Sequence, residues 1–346
     1  MQKSEVQVSP LVIDLNTMDY WCWCKYFIDL KRRCSYNCSY CNTLHQTDLS
    51  QLELLPELPE HNEPIGLGLL SDFYQPDDSG STTAVLELLY RKGHPVSILT
   101  KSDKIVNDLP VLQKFSKQGK LKATFTIITP HNDLAEKLEG CAPTPYQRLD
   151  ALGKLAEAGI STGIAITPII PMVTDDREAL ALLVKEAKKR GAGWVLFSGF
   201  NPVKPFMKDP LWEKTSMLHA DRKKLQEHYR DIKKFMLGLL HSQGLPIRIP
   251  RVTFNLPEKH YYSYLVSEYL LNISYFYELM ENRLEAMRYR RAGLEINNTE
   301  YLMQVVKSNT LGFLRGVNPH IEKTVQEIIY QGKSSLYEKL YRKLTS

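Results

Sequence analysis

The chain has 346 residues, 43% of them hydrophobic and 24% charged, with a formal net charge of +5. Apolar runs such as Ile164–Met172 are too short to span a bilayer, and Met1-Gln2-Lys3-Ser4-Glu5 has no apolar signal core. The expectation is a globular cytoplasmic protein with no membrane association, whose mild basic excess suits either nucleic-acid contact or an ordinary solvated surface.

Residues 1–19 read as an N-terminal extension. A first strand is expected at Trp21–Asp29, where Cys22 and Cys24 alternate with Trp21 and Trp23 and would share one face. A cysteine-rich loop follows. Further strands are expected at Ile65–Leu70, Val96–Thr100, Ala123–Thr129, Thr162–Thr167 and Trp194–Ser198, with another candidate at Pro246–Pro250. Helical patterns fall between them at Ser81–Lys92, Pro110–Gln118, Pro145–Ala158, Asp176–Arg190 and Ala220–Gln243. Thr144 is placed to cap the helix that Pro145 opens, and Gly159 and Gly191 follow helix C-terminal turns. Strands alternating with helices of this length make right-handed βαβ units and a parallel sheet. Six or seven such units curl into a full or partial barrel, here residues 20–254, with chemistry at the C-terminal ends of the strands.

Residues 255–346 read differently, as a helical region rich in tyrosine (Tyr261, Tyr262, Tyr264, Tyr269, Tyr275, Tyr277, Tyr289) and then basic (Arg288, Arg290, Arg291). From Glu281 to Ser346 there are eleven Lys and Arg against seven Glu. Basic residues among aromatics can hold phosphates and stack on bases. The competing expectation is a helical appendage whose tyrosines pack on the barrel with their hydroxyls at its rim.

The strongest chemical signal is Cys34-Ser35-Tyr36-Asn37-Cys38-Ser39-Tyr40-Cys41, three thiols spaced C-x3-C-x2-C. Three thiolates can hold three irons of a [4Fe–4S] cluster and leave the fourth iron open. Structural zinc requires four ligands, commonly from two closely spaced pairs, and no second cysteine pair follows. A disulfide framework does not suit so few cysteines in a chain of this length. The iron–sulfur reading is therefore preferred, with a non-catalytic iron–sulfur or zinc module as the alternative.

This loop resembles the signature of the radical S-adenosylmethionine (SAM) enzymes, C-x3-C-x-aromatic-C, with Cys34, Cys38 and Cys41 as cluster ligands and Tyr40 as the aromatic. The resemblance implies a partial (β/α)6 TIM-like barrel, reductive cleavage of SAM to a 5′-deoxyadenosyl radical, and a reductase, flavodoxin or ferredoxin as electron donor. Downstream strings narrow it. Gly68-Leu69-Leu70-Ser71-Asp72-Phe73-Tyr74-Gln75-Pro76, Leu99-Thr100-Lys101-Ser102, Phe125-Thr126-Ile127-Ile128-Thr129 and Leu138-Glu139-Gly140-Cys141-Ala142-Pro143-Thr144-Pro145 occur in order. Ala158-Gly159-Ile160 and Ile166-Thr167-Pro168-Ile169-Ile170-Pro171 follow. Over roughly residues 20–200 these are similar to the spore photoproduct lyase branch.

By that resemblance the backbone at Tyr40 would approach the SAM adenine, Ser71 and Asp72 would lie near its amino group, and Lys101 and Thr126 would contact SAM. The substrate implied is a nucleic-acid base or nucleotide, with DNA as partner; a peptide or small metabolite is the alternative. Two departures withdraw the lyase's own reaction: Leu69 stands where the branch has a hydrogen-donating cysteine, and Asn42 where it has a tyrosine. Cys141 and Tyr74 are the candidates for the missing radical role, Cys141 being otherwise an incidental thiol.

Overall fold

The computed structural model describes residues 11–19, 21–29, 34–41, 53–55, 58, 64–68, 71–76, 80–200, 212–251 and 258–345. The chain divides into two compact units, one of residues 1–229 with 242–249, the other of residues 230–241 with 250–346. Among the described residues no helix is long and apolar enough to cross a membrane.

The first unit is built on one sheet. Its strands are β1 (Leu11–Asp19), β2 (Cys24–Asp29), β3 (Glu53–Leu55), β4 (Ile65–Leu67), β5 (Val96–Thr100), β6 (Leu121–Thr126), β7 (Thr162–Ile169) and β8 (Ala192–Gly199). They lie in the order β3-β1-β2-β4-β5-β6-β7-β8. From β2 to β8 every neighbouring pair is parallel, six strands in all. The helices between them are α1 (Ser81–Lys92), α2 (Leu109–Lys117), α3 (Asn132–Glu139), α4 (Pro145–Glu157) and α5 (Arg177–Lys189). This is the partial (β/α)6 barrel that the strand–helix alternation predicts.

The core forms where one row of each strand meets an apolar helix stripe. Val96 and Ile98 of β5 are buried, as are Leu86 and Leu89 of α1 and Leu112 and Phe115 of α2. Leu149, Leu152 and Leu155 of α4 and Leu180, Leu183 and Val184 of α5 continue the layer. Each such aliphatic side chain contributes roughly 1.5–3 kcal/mol when removed from water. Helix ends follow the expected chemistry. The Thr144 hydroxyl accepts from Gln147 N, and the Gln147 side chain in return accepts from Thr144 N at 2.8 Å. Asp176 caps α5 through Ala179 N, and Gly159 and Gly191 take left-handed φ values of 80° and 97°.

Three expectations are corrected. Residues 11–19, expected within an N-terminal extension, form β1 of the sheet: β1 pairs antiparallel with β2, setting Ile13 opposite Phe27, and β3 pairs with β1. The first parallel strand starts at Cys24, because Trp21–Trp23 form a turn in which Trp23 has φ 62°. Pro246–Pro250 is not a strand. Its isolated bonds, Val195 N to Pro246 O and Ile249 N to Trp21 O, lay irregular backbone between β8 and the turn that precedes β2. The helix expected over Ala220–Gln243 is present as α7 (Arg222–Gln243); a separate helix, α6 (Glu213–Ala220), precedes it, and the two are broken where the Asp221 carboxylate accepts from Lys223 N and Lys224 N.

The second unit is helical, as its composition predicts: α8 (Glu258–Leu279), α9 (Arg283–Asn297), α10 (Leu302–Lys307), α11 (Pro319–Gln331) and α12 (Ser335–Thr345). Its aromatics pack on one another. Phe276 meets Tyr337 and Tyr341 at ring distances of 5.1 and 5.0 Å, and Tyr277 meets Tyr289 at 5.6 Å.

Candidate active site

The cysteine loop lies beyond the C-terminal end of β2. Residues alternate along it: Tyr36, Cys38 and Tyr40 turn inward, while Ser35 and Asn37 face solvent. The three inward side chains join Ile128, Leu138, Ile170, Phe200 and Trp212 in one apolar cluster, and half-buried Cys34 and Cys41 pack against it. All six cysteines of the chain are thiols with no disulfide. The loop thus gathers its three thiols on one cluster, yet it does not draw them into a cage. Among the described residues no three His, Cys, Asp or Glu side chains form a metal-sized ligand set.

Hydrogen bonds anchor the loop on two sides. On the β4 side, Ser35 N donates to Gln75 Oε1 at 2.7 Å and the Tyr36 hydroxyl donates to Tyr74 O at 2.9 Å. On the α3 side, Ser39 N donates to Leu138 O at 2.8 Å and the Tyr40 hydroxyl donates to Glu139 Oε1. Gly140, at φ 53°, lies so close that a Cβ there would come within 2.7 Å of Tyr36 O.

A buried ion pair stands behind this contact. Arg148 and Glu139 meet at 2.6 Å with both side chains 1% exposed. The guanidinium also donates to Pro143 O at 2.7 Å and to Thr126 O at 2.9 Å. Burial would lower the Arg148 pKa, but Glu139 more than offsets this and holds it above the ordinary value. The Tyr40 phenol is pushed well up, by burial first and then by Glu139. Burial likewise raises the lone Cys38 thiol to about 11, against the opposing pull of Lys101.

The strand ends supply the remaining polar groups. Ser71 Oγ donates to Asp29 Oδ2 at 2.8 Å. The Asp72 carboxylate is fully engaged: Oδ1 accepts from the Thr100 hydroxyl at 2.7 Å and from Tyr74 N at 3.0 Å, while Oδ2 accepts from Lys101 N at 2.6 Å. Asp72 therefore fixes the backbone from which Lys101 projects. The Lys101 ammonium lies 5.6 Å from the centre of the Tyr40 ring. Burial favours its neutral form, but Cys38, Glu139 and Asp72 outweigh that and keep it charged. Thr126 is buried at the end of β6.

The structure thus brings Cys34, Cys38, Cys41, Tyr40, Lys101 and Asp72 into one neighbourhood, which Arg148 ties to Thr126. Tyr74 is buried beside the loop, with its carbonyl in use by Tyr36. Cys141 is exposed on the turn between α3 and α4. Leu69 and Asn42 lie outside the described residues. Cys22 and Cys24 do not join the three loop thiols; the Cys24 thiol instead meets Cys22 O at 3.5 Å. Sequence reasoning missed Glu139, Arg148 and Gln75. Arg148 left a trace, a charge on the same helical face as Pro145, Leu149, Leu152 and Leu155; a lone Gln75 gives none.

No family model matches the chain. An uncharacterized protein of Methanocaldococcus jannaschii is 30% identical over 166 residues, 44% of this chain and 62% of that protein. An uncharacterized protein of Mycobacterium tuberculosis is 27% identical over 141 residues, 40% of this chain and 42% of that one. The chain thus spans less than half the length of the mycobacterial relative. Among solved structures it is similar to a spore photoproduct lyase complexed with dinucleoside spore photoproduct, with TM-score 0.48, 17% identity, and 64% of this chain and 76% of that chain covered.

Proposed function

We propose that the protein is a radical SAM enzyme acting on a nucleic-acid base or nucleotide. The observation that carries this is the C-x3-C-x2-C loop beyond the end of β2, beside an ammonium that its neighbours keep charged. The donor set fits an iron–sulfur cluster: three cysteines on one short loop that would bind as soft thiolates, packed on an apolar cluster, with the Lys101 ammonium beside them to offset the charge they would then carry. Cys34, Cys38 and Cys41 would hold the cluster. With SAM bound at the open iron, the chemistry supplied is one-electron reductive cleavage to methionine and a 5′-deoxyadenosyl radical that abstracts hydrogen from the substrate.

The chain's own groups have assignable roles. Lys101 and the Thr126 hydroxyl present a cation and a donor at adjacent strand ends, suited to the carboxylate and ribose of SAM. Asp72 positions Lys101 through its backbone amide, and Ser71 is oriented by Asp29. The Tyr40–Glu139–Arg148 chain fixes the loop against α3 and β6. Substitution of the hydrogen-donor position by Leu69 argues against spore-photoproduct repair itself. A flavodoxin- or ferredoxin-type donor would deliver the electron, and a cytoplasmic setting would keep the thiols reduced.

Anaerobic reconstitution with iron and sulfide tests the reading. Visible iron–sulfur absorbance and 5′-deoxyadenosine formation from SAM under reductant are expected. Cys34→Ala, Cys38→Ala and Cys41→Ala should each abolish both, while Cys141→Ala should abolish neither. Colourless protein carrying one zinc would overturn it.

A further inference from the structure

The lumen of the barrel is not filled. In a closed barrel, inward side chains from alternate strands interlock in layers and are fully buried. Here the β5 row Ser97 and Leu99 is only half-buried, while the outward Val96, Ile98 and Thr100 are buried. On β8, Leu196 and Ser198 are likewise half-buried, and Thr167 of β7 is exposed. The space between them is a cavity of about 260 Å³. At roughly 30 Å³ for each water-sized group, it holds on the order of ten non-hydrogen atoms.

Its wall is uncharged. No Asp, Glu, Lys, Arg or His is among the described residues lining it. An ion placed there would lose its hydration with no charged group in the lining to replace it, the Arg248 guanidinium on the Trp21 ring lying outside the lining. The polar side chains offered include the hydroxyls of Ser97, of Thr124, whose Oγ1 accepts from Trp194 Nε1 at 3.1 Å, and of the Ser198–Thr167 pair at 3.3 Å. The rings of Trp21 and Phe27 line the same space, and Gly66 opposite Phe27 leaves room for its ring, which a Cβ would meet at 2.2 Å.

Strand periodicity places this cavity relative to the strand ends. Leu99 and Thr124 each precede Lys101 and Thr126 by two residues, about 6.6 Å along the same inward face. Ala165, which also lines the cavity, pairs with Thr126, so the cavity reaches from below the groups assigned to SAM up to their level.

We propose that this part of the lumen, walled by Trp21, Phe27, Leu99, Thr124 and Ala165, binds a single uncharged ring of nucleobase size. A dinucleotide exceeds its volume, and any phosphate must stay outside it. Naming the occupant as part of the substrate rests on the radical SAM reading; the binding itself does not.

Cys22 lines the cavity and reports on it. The intact protein is pulsed with iodoacetamide, and alkylation of each cysteine is followed by peptide mass spectrometry. Benzamide and benzoate serve as probes of equal shape and unequal charge. Saturating benzamide should slow alkylation of Cys22 by about tenfold, leave exposed Cys141 unchanged, and raise the melting temperature saturably. Benzoate should do neither, and Leu99→Trp, which fills the cavity, should abolish the benzamide effect. Equal action of the two probes, a benzamide effect that survives Leu99→Trp, or no benzamide effect on either readout overturns the proposal. Protection without SAM cleavage by the reconstituted protein would keep this site and discard the radical reading; SAM cleavage without protection would do the reverse.

Discussion

A single guanidinium, that of Arg148, both neutralises Glu139 and holds the carbonyl of Thr126. Losing one partner of a fully buried pair strands the other charge. Arg148→Met should therefore cost about 3–5 kcal/mol in urea unfolding, and adding Glu139→Gln should restore a large part of it. Tyr40→Phe removes one donor to a carboxylate that keeps its arginine, so about 1–3 kcal/mol is expected. At this scale the thiols were legible in the sequence because three cysteines spaced C-x3-C-x2-C suit a metal cluster and little else. Asp72 was visible as a strand-end carboxylate, but not its use, since only the folded backbone shows both oxygens committed to Thr100, Tyr74 and Lys101. Arg148 left a helical-face anomaly, and Gln75 nothing, because its bond to Ser35 N spans 40 residues.

Among elements, the turn from α3 into α4 governs the cysteine loop. Gly140→Ala adds a Cβ within 2.7 Å of Tyr36 O at a residue already left-handed. Iron incorporation, read by absorbance per protein, should fall in that variant while the far-ultraviolet circular dichroism is unchanged. Thr144→Ala removes the α4 cap and should cost about 1 kcal/mol in urea with iron content preserved. Strand β5 and helix α1 were readable because period-2 and period-3.6 patterns there are clean and bounded by Gly or Pro, and β7 because an apolar run, buried from Thr162 to Ile166, follows the helix stop at Gly159. The Trp21–Trp23 turn was not, since aromatics and cysteines alternate there as they would in a strand while Trp23 takes a left-handed φ. β3 is three residues long and owes its place to pairing with β1, which no local pattern announces.

For the whole molecule, the aromatic packing of the second unit makes stability depend on high pH. Burial pushes the Tyr289 phenol up to about 12 and raises Tyr337 and Tyr341 as well. A phenol that stays neutral in the fold favours folding below its unfolded value near 10, and that benefit is lost as pH rises through the folded value. Urea midpoints should therefore decline from about pH 10 upward, and tyrosinate absorbance should develop in step with unfolding. The two-unit division itself follows chemistry visible in the chain, from strand–helix alternation to tyrosine-rich helix. No composition change marks residue 230 or residue 242, where α7 passes from the first unit to the second and back.

The sheet's two rims have a consequence for life in a crowded solution. A long unpaired rim invites another chain to extend the ladder. On one side the rim strand is only Glu53–Leu55. On the other, the amide of Val195 is taken by the carbonyl of Pro246, whose ring cannot propagate the pairing. An incomplete barrel must leave its rims somewhere; among the described residues a three-residue strand covers part of one and a proline carbonyl meets the other, which shortens the template each offers a second molecule.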